Sequence, residues 1–352
     1  MLHSFHNYFD KLLESKIELN ILNLCCFAKI KDFKIMATNT GVEQDENDFS
    51  STTPIANIWQ VIFFSLDCIV MLVSLFLNMC LVRAIARNIY KETPLYFFIL
   101  FIFFTSLVDD ALIIEHFMTL FGHQQHTTSI CQFFMFTTIG NRLLQVNTVL
   151  ALLYYSWICL EQKKTSIEQN VKLFFPLILV GLILIEIIFA SAPASQVRGS
   201  KDHSKCLYKD DVSENSQRIT GWLYMVAFPY YVPLAISIFP VFRIATRLRK
   251  GSEAMTERAK VQNYIVLSVV GGYFFFHLLY YLLMFGREVE FVAFEVSNFR
   301  MMLRRPIWFI TRPMFSLIGY GWHIIVPLTP FIFDPDLFES FPGQYVNRVS
   351  IL

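Results

Sequence analysis

Four polar residues, Thr138, Asn141, Gln145 and Thr148, recur at i, i+3, i+7 and i+10 inside an apolar run, with Arg142 beside them. On a helix this spacing gathers them on one face. The chemistry they offer is recognition: two hydroxyls, two amides and a guanidinium that never loses its charge. Arg142 stands eleven residues after Cys131, which is ~16 Å along a helix at 1.5 Å per residue. At that depth its charge needs an answer, and two stay open. Asp109, Asp110 or Glu115 in the preceding apolar run neutralises it permanently, because buried charges are usually paired. Alternatively, the face receives an acidic or strongly accepting ligand. Tyr280 and Tyr281 of "HLLYY" and Tyr320 and His323 of "YGWHIIVP" would supply facing aromatic walls and hydrogen-bond donors, completing a polar-aromatic pocket. His277 reads either as a hydrogen-bonded interior residue or as a proton-sensitive switch. Asp67 and Glu186 read as pocket residues, neutral acids or helix-to-helix hydrogen bonders.

These residues need elements to position them, and composition names the solvent of those elements. With 55% apolar and 16% charged residues, the 352-residue chain has too little polar surface for a water-soluble globule. Its solvent is lipid. Runs that reach the roughly 20 residues needed to cross a hydrocarbon layer recur at Ile58 to Val82, Leu95 to Phe121, Cys131 to Leu160, Val171 to Ala192, Gly221 to Ala245, Val261 to Phe285 and Ile307 to Phe333. In lipid each backbone N–H must bond within the protein, so these runs are expected to be helices despite their Phe and Val content. The expected fold is an all-α membrane protein, a bundle of seven transmembrane helices over residues 58–338. Most of the 37 Phe residues then face lipid or core and carry no recognition code. The net charge of +1 gives no footprint for nucleic acid. Zinc-type CxxC pairs, phosphate-binding Gly-rich loops, HExxH and GxSxG spacings are all missing, so no enzyme activity, metal or cofactor is expected.

Orientation follows from Lys and Arg near the first span. Residues 36–57 carry Glu43, Asp45, Glu46 and Asp48 and no base, whereas the loop after the span has Arg83, Arg87 and Lys91, which places the N-terminus outside. The basic connection holding Arg243, Arg247, Arg249, Lys250, Arg258 and Lys260 agrees with this. Arg198, Lys201, Lys205, Lys209, Arg300, Arg304 and Arg305 in the opposite loops run against it. Residues 1–57 read as an N-terminal tail. Within it "IELNILNLCCFAKI" is too short to span, and "MATNTGVEQDENDF" has the composition of an acidic outer tail beginning at Met36. Residues 1–35 therefore read as an extension from an upstream start codon, or else as an interfacial amphipathic piece. Residues 339–352 form a short inner tail.

Cys131 opens the third span and Cys206 lies in the long loop between the fourth and fifth. On the oxidising side of a membrane such a pair readily forms a disulfide that ties the loop over the bundle. With this pair, seven spans, "LNMCLV" and "KETPLYFF", the chain resembles the rhodopsin-like G-protein-coupled receptors over about residues 58–338. The likeness implies that Asn78 cross-links helices through its amide. It also implies that Ser106 stands at the buried sodium-site acid of the second helix, counting from Asn78 or Thr93-Pro94, whereas alignment on "TSLVDD" puts Asp110 there. The departures are as specific. Ser156 of "YSW" replaces the arginine of the DRY-like triplet, and "HLLYY" replaces the Trp-Pro toggle of the sixth helix. "TPFIF", Thr329 to Phe333, resembles NPxxY with Pro330 kept as a kink and Phe333 unable to donate a hydroxyl hydrogen bond. Among such receptors, the Phe content and short inner tail are most similar to nematode serpentine chemoreceptors.

The resemblance implies a plasma-membrane receptor for an extracellular ligand, a small chemosensory molecule, or alternatively a peptide or amine. It implies signalling through a heterotrimeric G protein that meets Arg243, Arg247, Arg249, Lys250 and Lys260. A basic inner loop is also what the positive-inside rule demands without a partner. A transporter using Arg142 and the intramembrane acids as a relay is the other reading, against which stands the lack of an inverted repeat.

Overall fold

Backbone groups surrounded by apolar side chains find partners only within their own segment, and the chain meets that demand with helices. The computed structural model describes residues 54–87, 94–120, 127–161, 165–199, 206–209, 213–250, 255–293, 298–335 and 337; the side chains of some helical residues in these ranges, Asp110 and Glu115 among them, lie outside the description. The tails 1–53 and 339–352 lie outside the described residues as well. The helices are α1 (Pro54–Arg87), α2 (Pro94–Leu120), α3 (Thr128–Glu161), α4 (Thr165–Ser195), α5, α6 (Glu257–Ala293) and α7 (Asn298–Phe333). α5 is composite, with α-helical Glu214–Trp222, π-helical Leu223–Tyr231 and α-helical Val232–Arg249 in succession. Between α4 and α5, β1 (Val197–Gly199) pairs antiparallel with β2 (Cys206–Tyr208) in the register Val197↔Tyr208, Gly199↔Cys206.

Several helices outrun the apolar windows that reveal them. α6, for instance, continues past Phe285 to Ala293, and α7 begins at Asn298, well before Ile307. Hydropathy marks the part that needs lipid, and intrahelical bonding carries on beyond it. Among the described residues six helices hold stretches long and apolar enough to cross a membrane: Ser65–Ile85, Thr128–Glu161, Leu177–Ser195, Ile219–Arg249, Glu257–Phe285 and Met314–Phe333. The chain is thus a multi-pass membrane protein. The apolar part of α2, Pro94–Asp109, is shorter and ends where Asp109 and Asp110 enter.

α3 is the axis of the bundle, touching α2, α4, α5, α6 and β1, while α1 meets both α2 and α7 and closes the ring. Val146, Val149, Leu152 and Leu153 of α3 are fully buried against Ile99 and Ile102 of α2 and Ile265 and Val269 of α6. Outward faces are apolar too: α4 exposes Leu177, Val180, Leu184 and Ile188, and it buries Glu186, Ala190 and Ala194. Because lipid is as apolar as such a core, close fit rather than water exclusion holds these helices together. Gly140 on α3 illustrates this, since a Cβ there would lie 3.4 Å from the Cβ of Ala190 on α4.

α5 and α6 are stitched where α5 departs from regular geometry. Pro233 has no N–H to give the carbonyl four residues earlier, that of Pro229, and the Tyr273 hydroxyl of α6 donates to it at 3.2 Å. In return the Tyr230 hydroxyl of α5 donates to the Phe274 carbonyl at 2.8 Å.

Candidate functional site

The hairpin fixes one end of α3. Cys131 and Cys206 are joined by a disulfide with their Cα atoms 5.6 Å apart. Gln132 Nε2 donates to the Val197 carbonyl at 3.3 Å, and the Gly199 N–H donates to Thr128 Oγ1 at 3.3 Å, so the first turn of α3 is held by polar as well as covalent links. Cys68, Cys80 and Cys159 remain thiols.

Further along α3, a cavity opens between four helices. Asp109 of α2, Arg142 and Gln145 of α3, Tyr273, His277, Tyr280 and Tyr281 of α6, and Ser316, Gly319, Tyr320 and His323 of α7 line it. Its free volume is about 40 Å³, room for about three water molecules. Arg142 Nη1 donates to the Tyr280 hydroxyl at 3.2 Å, and its guanidinium carbon lies 5.2 Å from the centre of the same ring. The ion pairs formed among the described residues do not include Arg142. Asp109 is held differently: its Oδ1 accepts from Asn141 Nδ2 at 2.6 Å, and its Oδ2 is 3.7 Å from His323 Nε2. Asn141 also donates to the Thr105 carbonyl at 2.9 Å, so one amide positions both the acid and the backbone of α2. Gln145 is 2% exposed and its Nε2 has no acceptor among the described residues. His277 Nδ1 lies 2.9 Å from the Tyr273 carbonyl, which can only accept, so Nδ1 carries a proton.

The structure gathers seven of the ten residues expected at the pocket: Asp109, Arg142, Gln145, Tyr280, Tyr281, Tyr320 and His323. Thr138 is half-buried but does not line the cavity, and its turn of the stripe is represented instead by Asn141 acting on Asp109. The side chains of Asp110 and Glu115 lie outside the described residues. Glu186 is buried on α4 and accepts a hydrogen bond from Asn147 of α3, and neither it nor Asp67 lines the cavity. Asn78 donates to the Ser74 carbonyl at 2.9 Å and to its Oγ at 3.3 Å, while Ser74 Oγ donates to the His323 carbonyl at 3.0 Å, so Asn78 reaches α7 through Ser74. Ser106 donates to the Ile102 carbonyl of its own helix at 3.0 Å.

Sequence reasoning passed over Tyr273 and Trp322. Trp322 of α7, fully buried, donates from Nε1 to the Val269 carbonyl of α6 at 3.1 Å, and its ring lies edge-on to Tyr273, 5.0 Å between centroids. A signal for it was present in neighbouring glycines: a Cβ at Gly272 would lie 3.4 Å from the Trp322 ring, and one at Gly321 would meet Phe276 at 3.0 Å. Glycine is used here for closeness of helices α6 and α7.

At the far end of the bundle the polar residues meet one another. Ser156 Oγ donates to Asn263 Oδ1 at 2.6 Å, joining α3 to α6 beside a second cavity of about 50 Å³. Tyr96 of α2 donates to Asp334, just past α7, at 2.8 Å, and Phe333 stacks on Tyr264 of α6 with centroids 5.8 Å apart. Pro330 stands at the last turn of α7, where its carbonyl accepts from the Asp334 N–H at 2.9 Å. Glu161 at the end of α3 pairs with Arg243 at 3.1 Å and Arg247 at 2.7 Å, and Arg247 also donates to the Leu160 carbonyl. Lys260 pairs with Glu257 at 2.6 Å, while Arg249 and Lys250 are exposed. Of the five basic residues expected to meet a partner, three are thus engaged within the chain. No protein-family model matches this chain, and no curated protein matches it.

Proposed function

We propose that this chain is a receptor of the rhodopsin-like kind, with seven crossing helices and the hairpin end outside the cell. On this reading an extracellular small molecule enters the cavity around Arg142, and the far end presents a changed surface to a heterotrimeric G protein at the plasma membrane. One observation carries the reading: the disulfide-tethered hairpin holds the first turn of α3, the polar-aromatic cavity opens at the middle of the same helix, and α2, α3, α6 and α7, which supply the cavity, also supply the cross-helix contacts of the end opposite the hairpin. α2 supports a seventh crossing because its 27 residues reach ~40 Å, with Asp109, in its second half, lining the cavity.

A ligand shifts such a bundle only by its differential affinity for two arrangements. The contacts that would differ are those between α6 and its neighbours, because α6 lines the cavity and holds Asn263. With serine in place of the DRY-like arginine, the Ser156–Asn263 contact is neutral, so retained but atypical coupling is expected, with basal activity raised or else coupling weakened. The test is purified chain in lipid nanodiscs with a panel of G proteins, read by nucleotide exchange with and without a small-molecule library. Stimulated exchange supports the reading, whereas no exchange with any G protein, or uptake of the ligand into sealed vesicles, removes it.

A further inference from the structure

The inference concerns the ligand class of the proposed pocket and rests on that reading for its location. Two donors in the cavity lack what they require. The Arg142 guanidinium donates to the neutral hydroxyl of Tyr280 and lies against its ring; the Asp109 carboxylate acts on it across the cavity, but Arg142 forms no direct ion pair among the described residues. Three residues on, the Gln145 amide is buried with an unused N–H at the cavity wall. A buried polar group left unsatisfied is costly, and a buried charge more so. Two other titratable groups facing the cavity are already engaged. Asp109 is held by Asn141 and stands beside His323, and His277 is bonded to the Tyr273 carbonyl. Among the described residues, then, the Gln145 N–H lacks an acceptor and the Arg142 guanidinium lacks a carboxylate in direct contact.

We infer that the pocket takes a small carboxylate, its oxygens bridging the Arg142 guanidinium and the Gln145 amide and its short apolar tail lying among Tyr280, Tyr281 and Tyr320. Two carboxylate oxygens fit two donors on adjacent turns of one helix, and charge-assisted bonds of this sort are the strong ones. Size follows from space: about 40 Å³ admits a molecule of two to four carbons only as the tyrosines give way.

The probes are acetate, propanoate and butanoate, set against propanamide, 1-propanol and chloride, with thermal unfolding of the purified full chain in nanodiscs as readout. The expected result is a concentration-dependent rise in unfolding temperature with the carboxylates alone. Arg142→Gln abolishes it. Gln145→Leu weakens apparent affinity roughly tenfold to a hundredfold while leaving unliganded stability equal or higher, because it removes an orphaned donor. The second variant guards against Arg142→Gln simply failing to fold. Equal shifts with propanamide or chloride, no shift with any carboxylate, or full retention of the carboxylate shift in Gln145→Leu would overturn the inference. Failure of the receptor reading is separate: carboxylate binding without nucleotide exchange keeps this ligand class and removes the transducer. Exchange driven by neutral or cationic compounds that ignore Arg142 does the opposite.

Discussion

The two ends of the bundle handle polarity in opposite ways. Around the cavity on the hairpin side, a half-buried guanidinium has no direct ion pair and a buried amide has no acceptor among the described residues. At the far end Ser156 and Asn263, Tyr96 and Asp334, and Glu161 with Arg243 and Arg247 answer one another directly across helices. The first arrangement is costly until something arrives; the second defines a resting geometry without help. In a bundle whose helices adhere by fit rather than by expulsion of water, such polar contacts weigh more in choosing between packings than in holding the helices together.

The contrast breaks most completely if the element between the ends is removed. Trp322 is fully buried and ties α7 to α6, so Trp322→Ala is expected to cost about 3 to 5 kcal/mol. Thermal unfolding in nanodiscs should show that loss, together with loss of any coupling between cavity ligand and far end. If only stability falls and coupling persists, the two ends communicate by another route. Next in size is the hairpin. Cys131→Ser or Cys206→Ser releases a restraint spanning 75 residues, worth about 2 to 4 kcal/mol, and should lower surface expression while leaving the far-end contacts intact. Non-reducing peptide mapping that finds both thiols unpaired would remove the premise.

Smaller changes sharpen the contrast. Ser156→Ala deletes one buried hydrogen bond between α3 and α6, worth about 1 kcal/mol, and should raise basal nucleotide exchange severalfold with little change in unfolding temperature. Unchanged basal exchange would make that contact a bystander. The smallest effect belongs to Glu161→Gln. Its pairs with Arg243 and Arg247 are partly exposed, with arginine side chains 49% and 40% accessible, so less than about 1 kcal/mol is at stake and added salt should shrink it further. A large loss would mean that this cluster, and not the neutral contact at Ser156, sets the far-end geometry.

How much of this was readable in the sequence depends on the range of the interaction. Apolar length located the helices because lipid imposes one solution on every such run, but it missed the polar ends of α6 and α7, which need no lipid. Helical periodicity placed Arg142 and Gln145 on one face, since that relation is local. It put Thr138 on that face as well, whereas Asn141, one turn on, is the residue that touches Asp109. Tyr273 and Trp322 were hidden among many aromatics whose composition does not say which face meets another helix. Tyr96 and Asp334 lie 238 residues apart, and no spacing rule relates them. Arg243 and Arg247 read as partner contacts because bases in an inner loop invite that reading; the acid that takes them closes a different helix.

The π-helical stretch of α5 divides that helix into two halves whose angular settings are separable. Each residue of an α-helix advances about 100° around the axis. Losing or gaining one residue within Leu223–Tyr231 would therefore swing everything downstream by about that angle, carrying Arg243 and Arg247 away from Glu161 and turning new side chains toward α3. The upstream half, with Ser213 capping its first turn through Ser216 N–H, would keep its heading. A single codon inserted or deleted in this stretch could thus re-aim the half of α5 nearest the far end without redrawing the half nearest the hairpin, which makes Leu223–Tyr231 a natural point for one end of the molecule to diverge while the other is retained.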